Sequence, residues 1–139
     1  MSLKHLPVSA SFNFSQISPE AISHLKSLEF SPTGTRRLCL HSSNDSSLHM
    51  MLIEILPDTL FARHEHRHSD EAVYLLEGSL KYELDNDEVY KLSDSSARSI
   101  ILPKGASHSV QSGSNGALYL EVINGPFIKE TIDNNTLSS

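Results

Sequence analysis

The stretch His64-Glu65-His66-Arg67-His68-Ser69-Asp70-Glu71-Ala72-Val73-Tyr74-Leu75-Leu76-Glu77-Gly78 decides how the rest of this chain is read. Its second half is rich in β-formers and closes on a glycine, which predicts a short strand and a turn. Its first half sets His64 and His66 two residues apart. On an extended strand such residues point to one face, so two imidazoles stand where one cation can bridge them. Glu71, at the start of the following strand, offers a carboxylate as a third donor. His68 allows a rival register with His66, but only two residues would then precede Glu71. The 64/66 pair is preferred, and His68 is placed at the rim of the site or in solvent.

Outward from this stretch the chain continues as short β-forming segments: 35–41, 48–56, 60–66, 71–77, 79–84, 88–92, 99–102, 107–112 and 117–123. Turn residues separate them, among them Asn44-Asp45, Pro57-Asp58, Asp85-Asn86-Asp87 and Pro103-Lys104-Gly105. Glu77-Gly78-Ser79 and Asn115-Gly116 read as hairpin tips. Many short strands at this spacing predict an all-β sandwich or barrel. One helix precedes them. Ser18 is a natural N-cap, Pro19 fits the first helical position, and Ala21, Ile22, Leu25 and Leu28 follow at helical spacing, which predicts a helix over about 19–29. The predicted organisation is an N-terminal arm (1–17), the helix region (18–30), a barrel (31–129) and a polar tail (130–139).

Composition narrows the function classes. A chain of 139 residues fits one domain. A net charge of -6 argues against nucleic acid as the main partner. No apolar run is long enough for a membrane span, and no secretory signal is evident, so a cytoplasmic location is expected. Cys39 is the sole cysteine; no intrachain disulfide can form, and the residue reads as a small buried apolar group. Eight histidines are many for this length. His5, His24 and His49 have no partners in sequence and are read as ordinary core or surface residues. Tyr74, Tyr82 and Tyr119 are assigned to core or interface, and Gln111 falls outside the parity of His108 and Val110. Asp85-Asn86-Asp87-Glu88 lacks the glycine-spaced loop of a calcium site and reads as an acidic hairpin tip.

His108 follows the Pro103-Lys104-Gly105 turn. In an antiparallel barrel its strand can return beside the first and bring a fourth donor. Three imidazoles and one carboxylate suit iron, manganese, nickel, cobalt or zinc, and an octahedral ion held this way keeps about two positions open for chemistry. The spacing His64-x-His66-(four residues)-Glu71-(six residues)-Gly78 resembles the first motif of the cupin superfamily, and Pro103-Lys104-Gly105-Ala106-Ser107-His108 resembles its second. The resemblance implies a double-stranded β-helix, or jelly roll, over roughly residues 35–128, with His64, His66, Glu71 and His108 as metal ligands. The chain departs from the family's pattern at Asp58 and Ala97, where glycines are usual, and at Ser112, where asparagine is. These are turn and strand-end positions, so they bear on loop shape more than on metal binding.

The wider layout runs from the short helix through Arg36-Arg37-Leu38-Cys39-Leu40-His41 to Leu120-Glu121-Val122-Ile123-Asn124-Gly125-Pro126-Phe127. It is similar to the small WbuC-type cupin metalloproteins of surface-polysaccharide gene sets. That likeness implies a sugar or nucleotide-sugar substrate. The expected function is a metal-dependent enzyme for a small polar substrate (an isomerase, epimerase or dioxygenase), with a non-catalytic binding or sensor module as the rival. Arg36, Arg37, His41 and His68 are the candidates for substrate contact, because arginine forks suit carboxylate and phosphate. A homodimer is expected, with Phe12 and Phe14 of the arm covering an edge strand of the neighbour.

Overall fold

The computed structural model of the protein describes residues 16–125. The arm's Phe12 and Phe14, His5 and the tail lie outside them. Helix α1 spans Pro19–Ser27, and strands follow as β1 (Thr35–Cys39), β2 (Leu48–Ile55), β3 (Leu60–His64), β4 (Glu71–Leu84), β5 (Val89–Leu92), β6 (Ser99–Leu102) and β7 (His108–Asn124). Ser18 caps α1 as its sequence predicts: Ala21 N–H donates to Ser18 Oγ at 3.1 Å. The helix stops at Ser27, two residues short of the predicted end, where Leu28 turns to extended backbone.

All pairing is antiparallel among the named strands, with β1-β2-β7-β4-β5 in order, β3 added to β7 and β6 added to β4. The long strands β4 and β7 form the spine and belong to two sheets. Residues 71–78 of β4 pair with 117–123 of β7 in the first sheet, and 80–84 pair with 108–112 in the second. Cys39, Met51, Ile53, Val73, Leu75, Leu80, Tyr82, Val110 and Tyr119 fill one buried cluster between the sheets. This is the jelly roll that the strand pattern and the cupin likeness imply. No helix of the described residues is long and apolar enough to cross a membrane.

The two expected hairpin tips are corrected. Gly78 and Gly116 do not reverse the chain; they bend β4 and β7 where each passes from one sheet to the other. Gly78 has φ 80°, and a Cβ there would sit 2.0 Å from the Gly116 carbonyl oxygen. Only glycine allows both the positive φ and that approach. The departures from the motif are absorbed locally. Asp58 takes the glycine-like φ of 52° itself, a conformation aspartate tolerates. Ser112 Oγ accepts from Thr59 N–H at 2.9 Å and donates to Leu56 O at 2.6 Å, holding that turn closed.

The outer face of β1, β2 and β7 is also apolar. Leu38, Leu40, Leu52 and Leu118 pack there against Ala21 and Leu25 of α1. Arg36 belongs to this face. Its Nε donates to Glu54 at 2.6 Å, and its Nη1 donates to the helix-end carbonyls of Lys26 (2.9 Å) and Leu28 (3.0 Å). Its guanidinium lies 4.1 Å from the Phe30 ring centre.

Candidate metal centre

Three imidazoles meet at one end of the barrel. His64 closes β3 and His108 opens β7, and the two are direct cross-strand partners. His66 lies beyond the end of β3, so strand alternation is not what places it beside His64; this corrects the strand predicted to run to 66. The loop itself is pinned instead. Gly105 N–H donates to His66 O at 2.8 Å, Lys104 N–H to Asp70 Oδ1 at 3.0 Å, and Asp70 N–H to Asn124 Oδ1 at 3.1 Å. The Pro103–Ala106 turn is closed by an Ala106 N–H bond to Pro103 O at 3.0 Å, and Gly105 supplies its positive φ of 83°. One turn therefore fixes both the loop carrying His66 and the approach to His108.

One donor atom from each of His64, His66 and His108 lies within 4.8 Å of the others. Their tautomers are set by the backbone. Nδ1 of His64 faces Ala62 O at 2.9 Å and Nδ1 of His108 faces Ala106 O at 2.9 Å. A carbonyl only accepts, so each Nδ1 carries the proton and each Nε2 keeps a free lone pair. This is the arrangement that prepares an imidazole for a metal. His108 Nε2 is buried and has no hydrogen-bond partner, which a ligated cation would explain.

Glu71 is not one of the three mutually close donors but lies beside one of them. It is the first residue of β4, it is buried, and its Oε2 lies 3.0 Å from His66 Nε2. Two donors about 2.1 Å from one ion at right angles are separated by about 3.0 Å, so this spacing fits neighbouring ligands of an octahedral cation. Without metal, the same spacing is a hydrogen bond. Burial pushes the Glu71 carboxyl up, but the hydrogen bond from His66 and the three imidazole charges outweigh it and hold the group below its ordinary range. Burial, aided by the neighbouring His108 and His66, pulls His64 below its ordinary value against the Ala62 bond and Glu71. At neutral pH Glu71 is therefore a carboxylate and His64 a neutral ring, the forms that a cation requires.

The other candidates are placed as follows. Arg37 shares a face of β1 with Thr35 and Cys39 and is buried inside the barrel. His41, just past β1, is buried and stacked on His49 with ring centres 4.0 Å apart; Met50 N–H donates to its Nδ1 at 3.2 Å. Neither histidine joins the three-imidazole group. His68 is exposed in the β3–β4 loop. Tyr82 and Tyr119 are core residues and Tyr74 is exposed. Burial, the dominant cause, pushes the Cys39 thiol up to about 11, which fits an inert core cysteine. Glu121 was not foreseen. It lies buried on the interior face, in register with Met51 and Val73. A groove of about 510 Å³ lined by Lys81, Lys91, Ser93, Gln111 and Ser112 opens elsewhere and holds none of these groups.

Comparison with known proteins agrees with the fold. A family model described as a domain of unknown function (DUF6016) matches residues 29–92. No curated protein matches the chain. Among solved structures, KdgF from Halomonas sp. is similar with 16% identity and a TM-score of 0.58, over 87% of this chain and 92% of that one. The Cnp3 cupin domain of Schizosaccharomyces pombe is similar at 14% identity and a TM-score of 0.60, over 72% and 70% of the two chains. An RmlC-like cupin from Shewanella frigidimarina shares 18% identity with a TM-score of 0.56, over 70% and 91%.

Proposed function

We propose that this chain, a cupin by fold, is a metalloprotein that holds one divalent ion through His64, His66, Glu71 and His108 and acts on a small polar substrate at the ion's open positions. The observation that carries the reading is the convergence of three imidazole donors within 4.8 Å, two with Nδ1 bonded to backbone carbonyls. A divalent ion in this donor set supplies Lewis acidity, with about one net positive charge to stabilise an enolate, enediolate or carboxylate. The chain's own part is to keep Nε2 of His64 and His108 unprotonated and to hold the Glu71 carboxylate ionised. The pinned loop keeps His66 in place. Isomerisation, epimerisation and oxygen insertion are the reaction classes that suit such a site. The WbuC-like layout favours a sugar-derived substrate in surface-polysaccharide metabolism. The competing reading is a binding or sensor module that holds its ligand without turnover; it is favoured because no general base is evident beside the imidazoles among the described residues.

The test is elemental analysis of untagged protein purified without chelators, followed by turnover assays on sugar and organic-acid panels. About one equivalent of iron, manganese, nickel, cobalt or zinc per chain supports the metal site, and less than about a tenth of an equivalent after loading refutes it. Turnover separates the enzyme from the binding module.

A further inference from the structure

Two adjacent arginines meet opposite fates. The charge of Arg36 is met by Glu54 and two helix-end carbonyls on the outer face. Arg37 points into the barrel with 6% of its surface exposed, and its Nε and Nη1 are buried with no hydrogen-bond partner. A guanidinium stays charged in any protein interior, and a buried charge with unmet donors is unfavourable unless a partner meets it. The two unmet donors, Nε and Nη1, lie on different edges of the guanidinium plane, so each can give one charge-assisted bond to an oxygen of an anion.

The surroundings are consistent with a bound anion. Among the described residues the buried charged side chains are Arg37, Glu71 and Glu121. With a divalent ion in place, the metal and Arg37 outweigh the two carboxylates by a single positive charge, which one monoanion neutralises. The order along the sheet is also set. Glu71 is level with His49 and Ile123, Glu121 with Cys39, Met51 and Val73, and Arg37 with Ile53, Tyr119 and Leu75. Arg37 is thus four residues deeper than Glu71, about 13 Å along the strands, with Glu121 between. At that offset an acid carrying several hydroxyls along its chain is long enough to run from Arg37 towards the metal ligands. Cys39 and Tyr119 both feel the opposed charges of Arg37 and Glu121, so the two groups act within one compartment.

We propose that Arg37 anchors the carboxylate of a small monoanionic hydroxy acid, with Glu121 beside it to accept from a hydroxyl and with the acid's far oxygens directed to the metal. This rests on the metal reading above and narrows its substrate class. The test is calorimetric titration of metal-loaded protein with gluconate and galactonate, each against its neutral amide, with metal content measured in parallel. For wild type, at least one acid should bind tenfold or more tightly than its amide. In Arg37→Met that preference should shrink to less than twofold while metal content stays near one per chain. Arg37→Lys, which keeps charge but loses the fork, should fall between and covers the case in which Arg37→Met does not fold. Equal binding of acid and amide by metal-loaded wild type overturns the anchor alone, as does a preference that survives in Arg37→Met, or no saturable binding of either acid to 50 mM. Failure to load metal overturns the metal reading, and the anchor with it.

Discussion

Divalent metal should raise the melting temperature of this protein, and Glu71→Gln should remove most of the gain. Glutamine keeps the shape of Glu71 and an oxygen for the His66 bond at 3.0 Å, so the metal-free fold should change by no more than about 1 kcal/mol. What is lost is the one anionic ligand. A ligand that binds only the folded state stabilises it by about 2.7 kcal/mol when present at 100 times its Kd. For a chain of this size that is a rise of about 8–13 °C. Loss of an outer-shell partner already weakens metal sites about 10- to 100-fold, and loss of a first ligand should do at least as much. At the same metal concentration, a 100-fold weaker site retains only about 0.4 kcal/mol of stabilisation, or about 1–2 °C. Differential scanning calorimetry of untagged, chelator-treated protein, with cobalt or nickel added back at matched concentration, gives the comparison. Equal gains in wild type and Glu71→Gln would show that the ion sits elsewhere. No gain in either, across the five metals named above, would refute the centre itself.

Acid should destabilise the metal-free protein in two windows. The folded pKa of His64 lies below its ordinary 6.5, so the unfolded chain binds more protons below that value and stability is lost as pH falls from about 6.5 towards the folded pKa. Glu71 likewise titrates below its ordinary 4.5, and its contribution, present above that pH, is lost below it; urea midpoints from pH 8 to pH 3 that rise on acidification would contradict both directions. Gly78→Ala should cost about 3 kcal/mol or more, because the new methyl must hold a positive φ and displace the Gly116 carbonyl from 2.0 Å; an unchanged melting temperature would show that β4 does not bend there. Light scattering at micromolar concentration should give about twice the 15.4 kDa chain mass, since Leu60 and Ile101 are apolar and exposed on strands β3 and β6, each paired on one side only; a monomer mass would exclude the dimer.

Much of this was legible because β-strands announce themselves through turns and β-branched runs. Residues 48–56 and 99–102 were placed within a residue for that reason. Gly78 was misread for a physical reason. A glycine between two strand-like runs has the same positive φ in a hairpin tip as in the bend of a continuous strand, and only long-range pairing tells them apart. His66 shows the opposite case, in which the expected neighbour was right and the cause was wrong. Alternation suggested the pair, whereas hydrogen bonds from Gly105 and Asp70, the latter 54 residues from its partner Asn124, hold the loop. Glu121 stayed hidden because its strand is apolar on both faces, one packing on the barrel interior and one on α1. Alternation carries no signal in such a strand, and the only cue was a charged residue within Leu118-Tyr119-Leu120-Glu121-Val122-Ile123.

The same geometry explains how the barrel itself holds the candidate donors. His64 and His108 are held together by strand pairing, His66 by a turn, and Glu71 by its place at the head of the longest shared ladder with β7. Each is fixed by backbone hydrogen bonds that belong to the barrel, and the apolar cluster beneath them, from Met51 to Ile123, does not include them. A small zinc domain lacks this independence: its ligands meet only when metal folds the chain, and binding free energy is folding free energy. Here the candidate donors are held by pairing that needs no ion, so a site residue can be changed without dissolving the metal-free scaffold. The same independence bears on Arg37, since a core that carries its own stability can tolerate a buried guanidinium with two unmet donors.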